Sequence, residues 1–215
     1  MQPIEAMLLE PVGCLAEFPP GPFQEIAARL LQRRKQPSTS ASRSYWHLLN
    51  LMESESAETI ESLELEAVES AELYDDVKPA LTELKAMGVR LFLTSSLSAQ
   101  AVSRFAANTG LEACFESIWS RDNSGGIKSA PLQHAVASAA LNPDRTIFLT
   151  DTLEGLKTAA AVKVNAVLMM NDPDEARRLA LHNPASGPAS GIVSFHELPD
   201  FVRLVLANAR YRTNS

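Results

Sequence analysis

From residue 77 onward, short runs of β-branched, aliphatic and aromatic residues alternate with segments whose apolar positions recur every three or four residues. Val89–Thr94, Phe115–Trp119, Thr146–Leu149 and Val164–Met169 have the length and content of buried strands. Val77–Met87, the stretch carrying Val102, Phe105 and Ala106, Pro131–Leu141 and the Ala-rich run after Asp151 have helical spacing. Strands that alternate with helices in this way predict a parallel sheet with crossover helices on its faces. Ile4–Leu9 adds an opening strand, Ile192–Phe195 a weak last strand, and Leu198–Ala209 a closing helix.

Between the opening strand and residue 76 the period changes. Phe23, Ile26, Ala27, Leu30 and Leu31 keep helical spacing, as do Tyr45, Leu48, Leu49 and Met52, and then Ile60, Leu63, Ala67 and Ala71. The predicted architecture is therefore α/β: a Rossmann-like three-layer parallel sheet core from residues 1–15 and 76–215, with a small α-helical cap, residues 16–75, inserted after the first strand. Residues 53–76 hold ten Asp or Glu and no Lys or Arg. A solvated helix face accounts for that run, and a docking face for a basic partner is the alternative.

The formal net charge of −7 gives no footprint for nucleic acid or for an anionic membrane surface, leaving a small molecule or another protein as partner. Cys14 and Cys114 lack the close spacings of a metal knuckle or redox pair, which points to a reducing compartment and gives no indication of zinc. No apolar run approaches membrane-spanning length, and the first residues lack the basic start of a signal segment, so the expected location is cytoplasmic.

Polar tips follow successive predicted strands: Glu10, then, after the helical insertion, Thr94 and Ser95, then Lys128, then Asp151 with Glu154 behind it. In an open parallel sheet ligands meet the carboxyl ends of the strands, so these tips are the candidate chemistry. Each has an ordinary structural alternative: Asp151 and Ser95 as helix caps, Lys128 as a solvated loop lysine. Tyr45, Trp46 and His47 are candidates to face the cleft, with a core role the competing reading for Tyr45 and Trp46.

Taken in order, Gly88-Val-Arg-Leu-Phe-Leu-Thr-Ser95, Ile127-Lys128-Ser-Ala-Pro131, Leu149-Thr150-Asp151-Thr-Leu-Glu154-Gly155 and Ile192-Val-Ser-Phe-His-Glu-Leu-Pro199 resemble the haloacid dehalogenase-like superfamily, in particular its capped phosphatase branch. The resemblance implies that Ser95, with Thr94 as its neighbour, and Lys128 bind a phosphoryl group. It also implies that Glu10, the Val12 backbone and Asp151, assisted by Glu154, hold Mg²⁺, a hard cation that takes oxygen ligands.

The first motif departs from that pattern. Where the family's phosphatases carry an Asp nucleophile, a second Asp two residues on, then Gly-Thr, this chain has Glu10, Val12, Gly13 and Cys14. Val12 cannot donate a proton to a leaving oxygen, and Glu10 carries its carboxylate on a longer arm. Gly155 stands where a further acid would assist the metal. Two readings follow: a family member with lost or strongly reduced phosphatase activity that binds a phosphorylated small molecule or a protein partner, or an active Mg-dependent phosphomonoesterase, phosphoglycolate or sugar phosphatase-like, that uses Glu10 and Lys128 catalytically. A metal-free dehalogenase is a third reading, since attack on a carbon–halogen bond needs no acid at position 12.

Overall fold

The computed structural model describes residues 3–19, 21–23, 41–50, 57–171 and 190–213. Six parallel strands form one sheet in the order β5-β4-β1-β6-β7-β8. They are β1 (Ala6–Leu9), β4 (Arg90–Thr94), β5 (Ser117–Trp119), β6 (Thr146–Thr150), β7 (Asn165–Met169) and β8 (Ser190–Ile192). Two further strands, β2 (Ala16–Glu17) and β3 (Glu72–Leu73), pair antiparallel apart from it.

β1 lies at the centre with all four residues buried, as a strand covered on both faces must be. Its alternation sorts the core into two layers. Met7, Leu9, Leu91, Leu93, Ile147, Leu149, Val167 and Met169 share one apolar cluster. Into it pack α3 (Val77–Ala86), α4 (Ala99–Thr109) and α7 (Glu197–Thr213), through Leu81, Phe105 and Val202 among others. Ala6, Leu8, Phe92 and Phe148 face the opposite cluster with Leu132 and Ala135 of α5 (Ser129–Ser138) and Ala159 of α6 (Leu153–Val162). Helices on both faces of a parallel sheet make this the α/β, Rossmann-like three-layer fold that the alternation predicts.

Between β2 and β3 the described chain holds α1 (Ala41–Leu49) and α2 (Ala57–Glu69). The two-residue strands at the neck carry no periodic signal and were not legible in the sequence; Ala16 pairs with Leu73 and Glu17 with Glu72. The predicted helix beyond Phe23 and the contribution of Met52 lie outside the described residues, while Ala71 falls past the end of α2. The last strand sits earlier than predicted. β8 ends at Ile192, because Ser194 leaves the ladder to bond Asp76, the residue preceding α3. Among the described residues no helix is long and apolar enough to cross a membrane.

Candidate active site

Register brings the strand tips together. Leu9 pairs with Leu93 on one side and Leu149 on the other. One step further along the strands stand Glu10, Thr94 and Thr150, and a step beyond those Ser95 and Asp151, at the carboxyl edge of the three central strands.

Glu10 is buried, and its Oε2 accepts a hydrogen bond from Thr150 Oγ1 at 3.1 Å. Burial and then the nearby Asp151 charge push its pKa from 4.5 up to about 8, against the smaller opposing effect of the Thr150 bond. The metal-free Glu10 is therefore mostly protonated at neutral pH.

Asp151 is equally buried, at 2% exposure, and does not cap α6. Thr152 does, accepting from the Gly155 amide at 3.1 Å. The capping role proposed above for Asp151 thus belongs to its neighbour. Gly13 adopts φ of +76°, and a Cβ there would lie 1.9 Å from Asp151 Oδ2 and 2.2 Å from Ser42 Oγ. Only glycine lets the backbone after β1 pass this close to Asp151 and to α1 of the insertion. Gly155 is constrained similarly, since a Cβ would lie 1.9 Å from Thr150 Oγ1. Packing against the hydroxyl that binds Glu10 thus leaves no room for an acidic side chain at position 155.

The remaining candidates divide. Thr94 Oγ1 is buried with no hydrogen-bond partner among the described residues. Ser95 Oγ accepts from the Leu97 amide at 3.1 Å, and Ser98, not Ser95, caps α4 by accepting from Ala101 N. Lys128 has φ of +63°, a strained conformation for a non-glycine residue, and its amide donates to Ser96 Oγ at 2.8 Å. Its Nζ donates to Asn50 Oδ1, at the end of α1, at 2.5 Å. Val12 is buried at 2% exposure and bridges to Ala16. Glu154 lies in the first turn of α6. Cys14 is buried beside Asp151 and Glu10, and burial first, then those charges, push its thiol well above its ordinary range.

Several residues beside the cleft escaped the sequence reading. Thr150 carried no signal beyond its place before Asp151. Glu64, counted among a solvated acidic run, is fully buried; its Oε1 accepts from Arg121 Nη1 at 2.5 Å and from Tyr45 Oη at 2.9 Å. A signal existed, because Glu64 shares the apolar face of Ile60, Ala67 and Val68 at helical spacing. Trp46 is buried in the core cluster, and Tyr45 is buried there with its hydroxyl on Glu64.

A doubly wound sheet with a helical insertion after β1, and carboxylates, hydroxyls and a lysine on the loops after its strands, defines a class of α/β proteins that meet ligands at the carboxyl edge of the sheet. The chain belongs to the haloacid dehalogenase-like hydrolases, whose family model matches residues 24–169. That match begins past Glu10–Cys14.

Enolase-phosphatase E1 of Frankia alni is 32% identical over 133 residues, which cover 60% of this chain and 53% of that protein. The chain thus spans about half the length of this relative. Among solved structures, a predicted phosphatase from Clostridium acetobutylicum superimposes with a TM-score of 0.69 at 15% identity, covering 94% of this chain and 99% of that one. L-2-haloacid dehalogenase from Xanthobacter autotrophicus gives 0.63 at 14% identity, covering 93% and 98%. At such identities the structures speak to the fold alone.

Proposed function

We propose that this chain binds a phosphorylated small molecule at the carboxyl edge of β1, β4 and β6, under the helical insertion acting as a cap, with phosphatase turnover lost or strongly reduced. One observation carries the reading. The carboxyl at the nucleophile position, Glu10, is buried and bonded to Thr150, with burial and Asp151 pushing its pKa up to about 8 in the metal-free protein, while the neighbouring general-acid position is the buried Val12. A protonated carboxyl is a poor nucleophile, and a valine gives no proton to a departing alkoxide. The Ser95 hydroxyl and Lys128 remain as donors for phosphate oxygens, with Lys128 exchanging its bond to Asn50 for the ligand.

Mg²⁺, common among the family's phosphatases, suits this donor set. Glu10 and Asp151 supply two neighbouring carboxylates, whose mutual repulsion a cation would relieve, and the Val12 carbonyl and Glu154 are further oxygen donors. Among the described residues no three His, Cys, Asp or Glu side chains form a ready cage, so water and ligand oxygens complete the shell. The metal would supply positive charge to a bound phosphate. The free thiols Cys14 and Cys114 suit a cytoplasmic protein.

The second reading, an active phosphomonoesterase, draws on the same contact. Cation binding that ionises Glu10 restores a carboxylate beside Asp151.

Assays on p-nitrophenyl phosphate and a sugar phosphate with Mg²⁺ separate the readings. Weak parental activity confined to the aryl ester, with Val12→Asp raising alkyl hydrolysis more than aryl, is the expected result, since general acid help is worth about 10²–10⁴-fold. Brisk parental hydrolysis of the sugar phosphate, abolished by Glu10→Gln, would overturn the reduced-turnover reading. Calorimetry with inorganic phosphate should show binding that Lys128→Ala weakens; equal affinities would remove Lys128 from the site.

A further inference from the structure

Glu64 is used by nothing in the proposed phosphate site, yet it is fully buried at the contact between α2 and the loop after β4. Its Oε1 takes the Arg121 Nη1 and Tyr45 Oη bonds, and its Oε2 accepts from the Ser98 amide at 3.0 Å. Arg121, 7% exposed, also donates from Nη1 to the Ser96 carbonyl at 3.1 Å. Tyr45 and Glu64 belong to the insertion, whereas Ser96, Ser98 and Arg121 belong to the sheet side.

The loop from Ser95 to Ser98 is thus shaped partly by a side chain from the insertion. The next amide, Ala99 N, is held from the sheet side alone, donating to Asp122 Oδ2 at 2.6 Å. Separating a buried ion pair leaves each partner without its counter-charge, a larger penalty than parting apolar surfaces of similar area. Lifting the insertion would strip Glu64 from Arg121 and the Ser98 amide from its acceptor together, while the Tyr45–Glu64 bond, internal to the insertion, would travel with it.

We propose that the contact of Glu64 with Arg121 and the Ser98 amide, with Tyr45 holding the Glu64 carboxylate in place, is a latch: the insertion opens over the cleft only by breaking that contact, and the Ser95–Ser98 loop loses its shape in the same event. The latch is independent of whether the cleft binds phosphate or turns it over.

Residue-resolved hydrogen exchange on the full chain tests it. In Glu64→Gln the Ser98 amide and the amides of α1 and α2 should exchange about 10- to 100-fold faster, the loss expected for charge-assisted bonds. Ala99 and the amides of β1, β4 and β6 should keep parental rates. Insertion and sheet accelerating together would reduce the cluster to general stability, and unchanged rates at Ser98, α1 and α2 would show that it latches nothing; either result overturns the proposal. Should Glu64→Gln fail to fold, Tyr45→Phe frees the Glu64 carboxylate from its support within the insertion and leaves the ion pair; a faster exchange of up to about tenfold at the same amides is then expected, and parental rates there overturn the proposal.

Discussion

Glu10→Gln replaces a titrating carboxyl with a neutral group of the same shape, and its effect should depend steeply on pH. The Glu10 pKa rises from 4.5 to about 8 on folding, because burial and Asp151 disfavour the charged form. The native state therefore holds a proton that the unfolded chain has released. The associated stability is fully present below pH 4.5 and is lost as pH rises through about 8. A difference of 3.5 units (8 − 4.5) at roughly 1.4 kcal/mol per unit gives an upper bound of about 5 kcal/mol.

Urea unfolding in EDTA at intervals from pH 5 to pH 8 should show the parent losing up to about 1.4 kcal/mol per pH unit relative to Glu10→Gln. The two proteins should be of similar stability at the acid end and diverge in favour of the variant toward pH 8. Mg²⁺ should oppose the trend, stabilising the parent more at pH 8 than at pH 6, since a cation needs the ionised carboxylate and releases the proton. Parallel profiles for parent and variant across this range would refute the placement of Glu10 as a buried carboxyl repelled by Asp151.

Gly155→Ala should destabilise the fold by about 1–3 kcal/mol, because the new methyl meets Thr150 Oγ1, and an unchanged melting temperature would show that α6 shifts freely. Asp151→Asn should weaken Mg²⁺ binding in calorimetry, since each lost charge weakens a hard-cation site, and equal affinities would place any bound metal elsewhere. Gly13→Ala should cost stability as well, because it sets a side chain at φ of +76° against Asp151 and Ser42, with thermal unfolding as the measure and unaltered stability as the contrary result.

The fold class was legible from the chain because it rests on local regularities. Runs such as Leu91–Thr94 and Ile147–Thr150, each followed by a polar tip and a helical period, can form a parallel sheet whatever their partners, and the order of motifs around Ser95, Lys128 and Asp151 carried the family. That position 12 can donate no proton was equally plain, since a valine lacks such a group in any conformation.

Properties that depend on contacts between distant segments were decided by the tertiary structure. Register between β1 and its neighbours set Glu10 beside Thr150, and burial there, with Asp151 close by, pushes its pKa well above that of an ordinary glutamate. Thr152 took the helix cap because its backbone adopted the extended conformation that a cap requires, which released Asp151 from that role. Glu64 looked like one more acid on a charged helix until folding brought Arg121, fifty-seven residues away, to its carboxylate. Sequence determines which groups are present and their local period; the dielectric and the partner each group meets arise only when the chain closes on itself.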